Sequence, residues 1–189
     1  LDNITKLTQK CNNAVVVGGG LIGIELVEML LSKNIKVTLI CREKSFWENA
    51  LTDNQSQLIN NHIKSHQVNL IFNDTLKSIE GEKGSVKNVI LESGLKIPCK
   101  FVGITIGVSP NINFIKDSGI NFDKGILVNA FLSTNFSNVY AIGDCAEHQN
   151  PPNNRPKIES IWYSGKLMGE TVAKTICGSK KKYKPGQWF

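Results

Sequence analysis

An α/β fold built on a parallel sheet follows from three features of the 189-residue sequence. A fully apolar run at residues 14–17 leads straight into Gly18-Gly19-Gly20-Leu21-Ile22-Gly23. Helix formers continue from there through residue 31, and a β-branched run at 35–40 comes next. Strand, glycine turn, helix and strand form the unit in which a crossover helix joins two parallel strands.

The remaining elements extend that unit. Apolar residues at 1, 4 and 7 suggest a short amphipathic lead-in. Asn34 is placed to stop the first long helix, and Asp53 to cap a second one running to about residue 66. Residues 68–72 read as a third strand. Short alternating runs from 75 to 98, split by Gly81, Gly84 and Ser93-Gly94, suggest an antiparallel meander laid onto the parallel sheet. Residues 101–106 return to a buried strand that ends at Gly107.

A boundary is expected between about residues 111 and 123, giving units at 1–115 and 116–189. Strands are expected at 125–129 and 139–142. Residues 149–156 carry three prolines and three asparagines and read as a loop. Residues 159–176 read as a helix closed by Gly178.

Bulk properties narrow the function class. With 41% hydrophobic and 20% charged residues the composition is that of an ordinary globular protein. No apolar run approaches the ~18 residues of a membrane span. The formal charge of +6 is concentrated in part at Lys180-Lys181-Lys182 and Lys184, without aromatic interleaving or a nucleic-acid motif. That pattern argues against a nucleic-acid partner, while a positive field still favours an anionic dinucleotide. Five cysteines form no Cys-x-x-Cys pair, and the odd count without a leader suggests reduced thiols and a cytoplasmic location. His62 and His66 share a helical face, but no third ligand accompanies them.

The spacing Gly18-x-Gly20-x-x-Gly23 gains meaning from its place between strand and helix. Gly18 permits a tight turn, Gly20 lets backbone approach a pyrophosphate, and Gly23 lets helix and strand pack closely. Unpaired N–H groups at the helix start then favour phosphate. At the end of the second strand, where an NAD site normally has Asp or Glu, the chain has Cys41, followed by Arg42 and Glu43. Arg42 suits a 2′-phosphate, which tilts the reading toward NADPH; Glu43 turned inward, or Arg42 simply in water, are the alternatives.

Three motifs in order carry a wider resemblance: Gly18 to Glu25, Thr105-Ile106-Gly107-Val108-Ser109-Pro110-Asn111, and Thr134 through Val139-Tyr140-Ala141-Ile142-Gly143-Asp144. Together they resemble the FAD- and NAD(P)-dependent pyridine nucleotide-disulfide oxidoreductase family. Lys157-Ile158-Glu159-Ser160-Ile161-Trp162 is similar to the matching stretch of its ferredoxin, rubredoxin and nitrite-reductase-type branch. The resemblance implies a Rossmann-like three-layer NAD(P)-binding domain at 1–115, then the second segment of an FAD-binding domain at 116–189 with a basic tail. It also implies a piece of a longer flavoprotein, without the first FAD segment and the C-terminal domain that is usually a dimerisation or interface module; a homodimeric parent stays open.

Residue by residue, the resemblance puts Gly18, Gly20 and Gly23 at the dinucleotide pyrophosphate, counts Leu21 and Ile22 between them among the cofactor-binding residues, and puts Glu25 near the nicotinamide. Cys41 and Arg42 stand at the adenosine end, and Gly107 beside the nicotinamide-side ribose. Gly143 and Asp144 would meet the ribityl or pyrophosphate region of FAD. Leu21 stands where the family often has Tyr. The implied activity is hydride transfer from NAD(P)H to FAD and on to an unidentified acceptor. The contrasting reading is a non-catalytic dinucleotide-binding, redox-sensing interaction module.

Overall fold

The computed structural model describes residues 2–48, 50–152 and 155–186. It divides into two compact units, Leu1–Val108 and Ser109–Phe189, so the division falls ahead of the 115/116 boundary expected from sequence. Among the described residues no helix is long and apolar enough to cross a membrane.

In the first unit, helix α1 (Asp2–Thr8) precedes strand β1 (Asn13–Val17), helix α2 (Leu21–Leu31) and strand β2 (Lys36–Ile40). Helix α3 (Asp53–Ser65) and strand β3 (Asn69–Ile71) follow. Strands β4 (Leu76–Glu82), β5 (Ser85–Leu91) and β6 (Lys96–Pro98) form an antiparallel sheet, and β7 (Phe101–Ile104) returns to the parallel one. The parallel order is β3-β2-β1-β7, which leaves β1 flanked on both sides.

Side-chain alternation decides which layer each residue supports. Ala14, Val16 and Leu39 face a core shared with Val27 and Leu30 of α2 and Ile63 of α3. Val15, Val17 and Ile40 face the opposite way, onto Val89, Leu91 and Cys99 of the meander. The parallel sheet is therefore sandwiched between helices and meander, which explains why its strands read as unbroken apolar runs. Helix α2 buries Gly23, Val27 and Leu30, a helical stripe. Asn34 does end it, at φ +58, and the Ile35 N–H returns to Leu30 O at 3.1 Å. Thr52 rather than Asp53 caps α3, with its N–H donated to Gln55 Oε1 at 3.0 Å.

The second unit holds strands β8 (Ile126–Val128) and β9 (Ala146–His148), paired in parallel, and helix α4 (Trp162–Ile176). Its core gathers Val128, Leu132, Ala146 and Met168, all fully buried. The strand expected at 139–142 does not form. Tyr140 only bridges Ser133, and Gly143 at φ +72 turns the chain away. The strand lies instead at Ala146-Glu147-His148, whose two polar side chains are buried. Helix α4 starts at Trp162, later than expected, because Ile161 is extended and Glu159 turns inward. The loop at 149–156 is described apart from Asn153 and Asn154, and the last three residues of the chain also lie outside the described residues.

Buried carboxylates in this unit have specific partners, with Glu159 Oε1 lacking a hydrogen bond among the described residues. Glu147 Oε2 accepts the Gly125 N–H at 2.8 Å, with Lys157 Nζ 4.0 Å from Oε1. Glu159 Oε2 accepts from Ser164 Oγ at 2.8 Å, Arg155 Nη1 at 3.1 Å and the Tyr183 hydroxyl at 3.3 Å. The His148 ring stacks on Tyr183, centroids 5.2 Å apart, and its Nε2 has no hydrogen-bond partner among the described residues. Burial pushes the His148 pKa below its ordinary 6.5, and the Glu159 charge opposes this only in part.

A histidine held neutral in the fold adds stability above its unfolded pKa and loses it as pH falls toward the folded one. Urea unfolding should therefore show stability declining from about pH 6.5 downward, before carboxylates such as Glu43, Asp74 and Glu80, held low by their partners, begin to titrate. His148→Phe, which keeps the ring stack, should flatten that upper part of the profile. An unchanged slope between about pH 7 and pH 5 would refute this.

Candidate functional site

The first unit places its glycines at the carboxyl end of β1, the end at which open parallel sheets bind ligands. Gly18 has φ +112, and a Cβ there would fall 2.5 Å from Thr105 O. A Cβ at residue 23 would fall 2.0 Å from Gly18 O, so only glycine lets α2 start this close to β1. Thr105 secures the junction from β7: its N–H donates to Val17 O at 2.8 Å, and Oγ1 lies 2.9 Å from Val17 O and 3.1 Å from Gly18 O.

Gly20 differs from its neighbours. It is the N-cap residue of α2, no side chain caps that end, and a Cβ there would meet nothing within 4 Å. The first N–H groups of the helix are thus presented to open space with the positive end of the helix dipole behind them. Leu21 and Ile22, 64% and 52% exposed, form an apolar rim, and Glu25 is exposed one turn further along. Gly107, at φ +129, is exposed beyond β7 with open space at its own Cβ position.

The end of β2 separates two residues that sequence reading had grouped. Cys41 is buried behind the turn, where its sulfur would lie 2.7 Å from a Cβ on Gly19. Desolvation pushes its thiol up to about 12, with the Glu43 charge adding to it, so it stays protonated. Arg42 is exposed, and its Nε donates to Glu43 Oε1 at 2.8 Å. That bond holds the Glu43 carboxyl below its usual range. The structure does not bring Cys41 to the surface beside Arg42.

Sequence reading did not single out the loop that follows. Phe46 is buried under Gly19, and the Trp47 ring stacks on Phe46 with centroids 5.3 Å apart and planes 15° from parallel. Trp47 Nε1 donates to Gly19 O at 2.8 Å. Two aromatics within an otherwise polar stretch were the available signal. Thr105 opens the second of the three motifs, yet nothing local marks its contact with residues 17 and 18.

In the second unit Gly143 and Asp144 open a short 3-10 turn, Gly143–Cys145. The Gly143 N–H lies 3.3 Å from the Met168 sulfur, and a Cβ on Gly165 would sit 3.6 Å from Gly143 Cα. The turn is thereby seated on α4 with the Asp144 side chain exposed. Trp162 and Tyr163 are exposed at the start of α4, their rings edge to face at 5.1 Å.

The cradle yields a test of its own. Gly23→Ala must separate α2 from β1 and should cost about 1–3 kcal/mol in denaturant unfolding. Gly20→Ala enters open space and should cost under about 1 kcal/mol, the loss from a poorer N-cap. Equal losses would show that the 2.0 Å approach at Gly23 is not a constraint.

Residues 2–164 match the family described as pyridine nucleotide-disulphide oxidoreductase. Rubredoxin-NAD(+) reductase of Ectopseudomonas oleovorans is 27% identical over 178 residues, covering 94% of this chain and 46% of that protein. A ferredoxin–NAD(P)(+) reductase of Sphingomonas sp is 30% identical over 181 residues, covering 94% and 44%. In fold, the chain superposes over its whole length on the ferredoxin reductase for the CYP199A2 system of Rhodopseudomonas palustris, with TM-score 0.91 and 23% identity, over 46% of that chain. The chain thus spans less than half the length of the curated relatives it matches. With three ordered motifs seated on a glycine cradle and a second-unit turn, and a family match over residues 2–164, the chain belongs to the pyridine nucleotide-disulphide oxidoreductase family.

Proposed function

We propose that these residues are the NAD(P)H-binding portion of a flavin-dependent oxidoreductase that takes hydride from NAD(P)H to FAD and passes electrons to a further acceptor. The observation that carries this reading is the cradle at the end of β1. Gly18 and Gly23 are closed by backbone, whereas Gly20 faces open space beside an uncapped helix start. A polyanion is the ligand such a start favours.

Each residue has a separate task. Gly20, Leu21 and Ile22 offer backbone N–H groups to the pyrophosphate, and the apolar side chains of Leu21 and Ile22 keep water from the bound dinucleotide. Glu25 lies near the nicotinamide, and the bare backbone of Gly107 admits its ribose. Gly143 and Asp144 form the wall that meets the ribityl and phosphate part of FAD. When bound, the cofactors supply the hydride chemistry, and the protein contributes position and electrostatics. The remaining FAD wall and the acceptor surface belong to other parts of the parent protein.

At the adenosine end we read Arg42 as favouring NADPH. The Glu43 bond uses Nε alone, so the two terminal nitrogens remain for a 2′-phosphate. Exposure weakens the contact, and Arg42→Ala should weaken NADPH binding by about fivefold, within the range of an exposed charge-assisted bond, with NADH nearly unchanged. Titrations of both dinucleotides against both proteins check this, and an equal effect on the two dinucleotides would refute the assignment.

A purification checks the flavin assignment. The 189-residue chain by itself should elute without the visible flavin absorbance band and show no diaphorase activity, while still binding NAD(P)H. Stoichiometric FAD carried by this chain alone would contradict the division of the site.

A further inference from the structure

The loop after β2 holds Trp47 by both backbone and side chain. Trp47 stands at φ +54, a left-handed conformation that bulky residues seldom adopt. Such a conformation persists only where the surroundings over-determine it. Here they do. The Trp47 carbonyl accepts the N–H groups of Ala50 and Leu51, both at 2.9 Å. The preceding residue, Phe46, is buried, and its N–H is tied to Asn60 Oδ1 at 3.2 Å. The indole then rests on the Phe46 ring and aims its N–H at the carbonyl of Gly19, 2.8 Å away.

That carbonyl belongs to the peptide unit joining Gly19 to Gly20, and every described peptide bond is trans. In a planar trans peptide the C=O and the following N–H point in opposite directions. Fixing the Gly19 carbonyl on the indole therefore fixes the Gly20 N–H on the far side. That N–H has no backbone partner among the described residues. Two successive glycines would otherwise leave this peptide free to rotate.

We propose that Trp47 is a positioning residue for dinucleotide binding: its indole N–H locks the Gly19–Gly20 peptide so that the Gly20 N–H is already aimed at the pyrophosphate. The proposal rests on the dinucleotide reading of the cradle. The indole acts as an orienting prop behind the turn, and the benefit lies in ordering the donor before the ligand arrives.

The test compares the intact chain with Trp47→Phe and with a version carrying the isosteric benzothienyl analogue at position 47, in which sulfur replaces the N–H. NADH affinity should fall about fivefold in both, the worth of one oriented neutral hydrogen bond. The downfield shift of the Gly20 amide proton on adding ADP-ribose should shrink, while the thermal midpoint of the benzothienyl version stays at that of the unmodified chain. Undiminished affinity in both variants overturns the role of Trp47 and leaves the dinucleotide reading standing. Losses that merely follow a lowered thermal midpoint in both overturn it too, reducing Trp47 to a structural prop. Failure of the unmodified chain to bind either NADH or NADPH overturns the dinucleotide reading and this role with it.

Discussion

The 2.0 Å separation between Gly18 O and the point where a Cβ on residue 23 would lie governs the first unit. Because no side chain intervenes, α2 starts against the end of β1 instead of a few ångströms away. Its axis, its buried stripe of Val27 and Leu30, and the direction of its unpaired N–H groups all follow from that start. Thr105 makes the same demand from the other side, since its carbonyl occupies the space a side chain on residue 18 would need. A loosely packed turn would still fold, but it would not hold several backbone donors in one fixed array.

The second unit depends on a different kind of constraint. Its short parallel pair and single long helix enclose two carboxylates, one imidazole and one tyrosine ring, and each acid has one partner distant in sequence, Gly125 for Glu147 and Tyr183 for Glu159. Glu147 fastens β9 to the backbone ahead of β8 through Gly125. Glu159 gathers Ser164 of α4, Arg155 of the preceding loop and Tyr183 of the tail. Losing one member of such a set strands a buried charge, so the network fixes where α4 begins more firmly than apolar packing alone would.

This contrast explains what was legible in the sequence. The glycine turn was readable because backbone geometry dictates residue type there: a positive φ at Gly18 and a helix seated against Gly23 admit no other residue. The three layers were readable because Val15 and Val16 must face opposite sides of a sheet that is covered on both. Strand β9 was not readable. Ala146-Glu147-His148 has the polarity of a surface turn until Gly125 and Tyr183 are brought to it. The apolar run at 139–142 misled for the converse reason, since it ends at a left-handed glycine that breaks any ladder. Trp47 escaped notice because its partner is a carbonyl, and a carbonyl leaves no trace in the sequence.

The thiols complete the chemical description. All five cysteines are free, and Cys41 and Cys99 lie on opposite faces of the parallel sheet, each with its pKa raised chiefly by desolvation. A thiol so protonated is a poor nucleophile and acts as a small apolar side chain. Cys41 shows the consequence most clearly. At the end of β2 it supports Gly19 from below, and the next two residues, Arg42 and Glu43, pair with each other instead of turning under the glycines. The end of β2 thus contributes packing under the turn, through a buried protonated thiol, and no polar group.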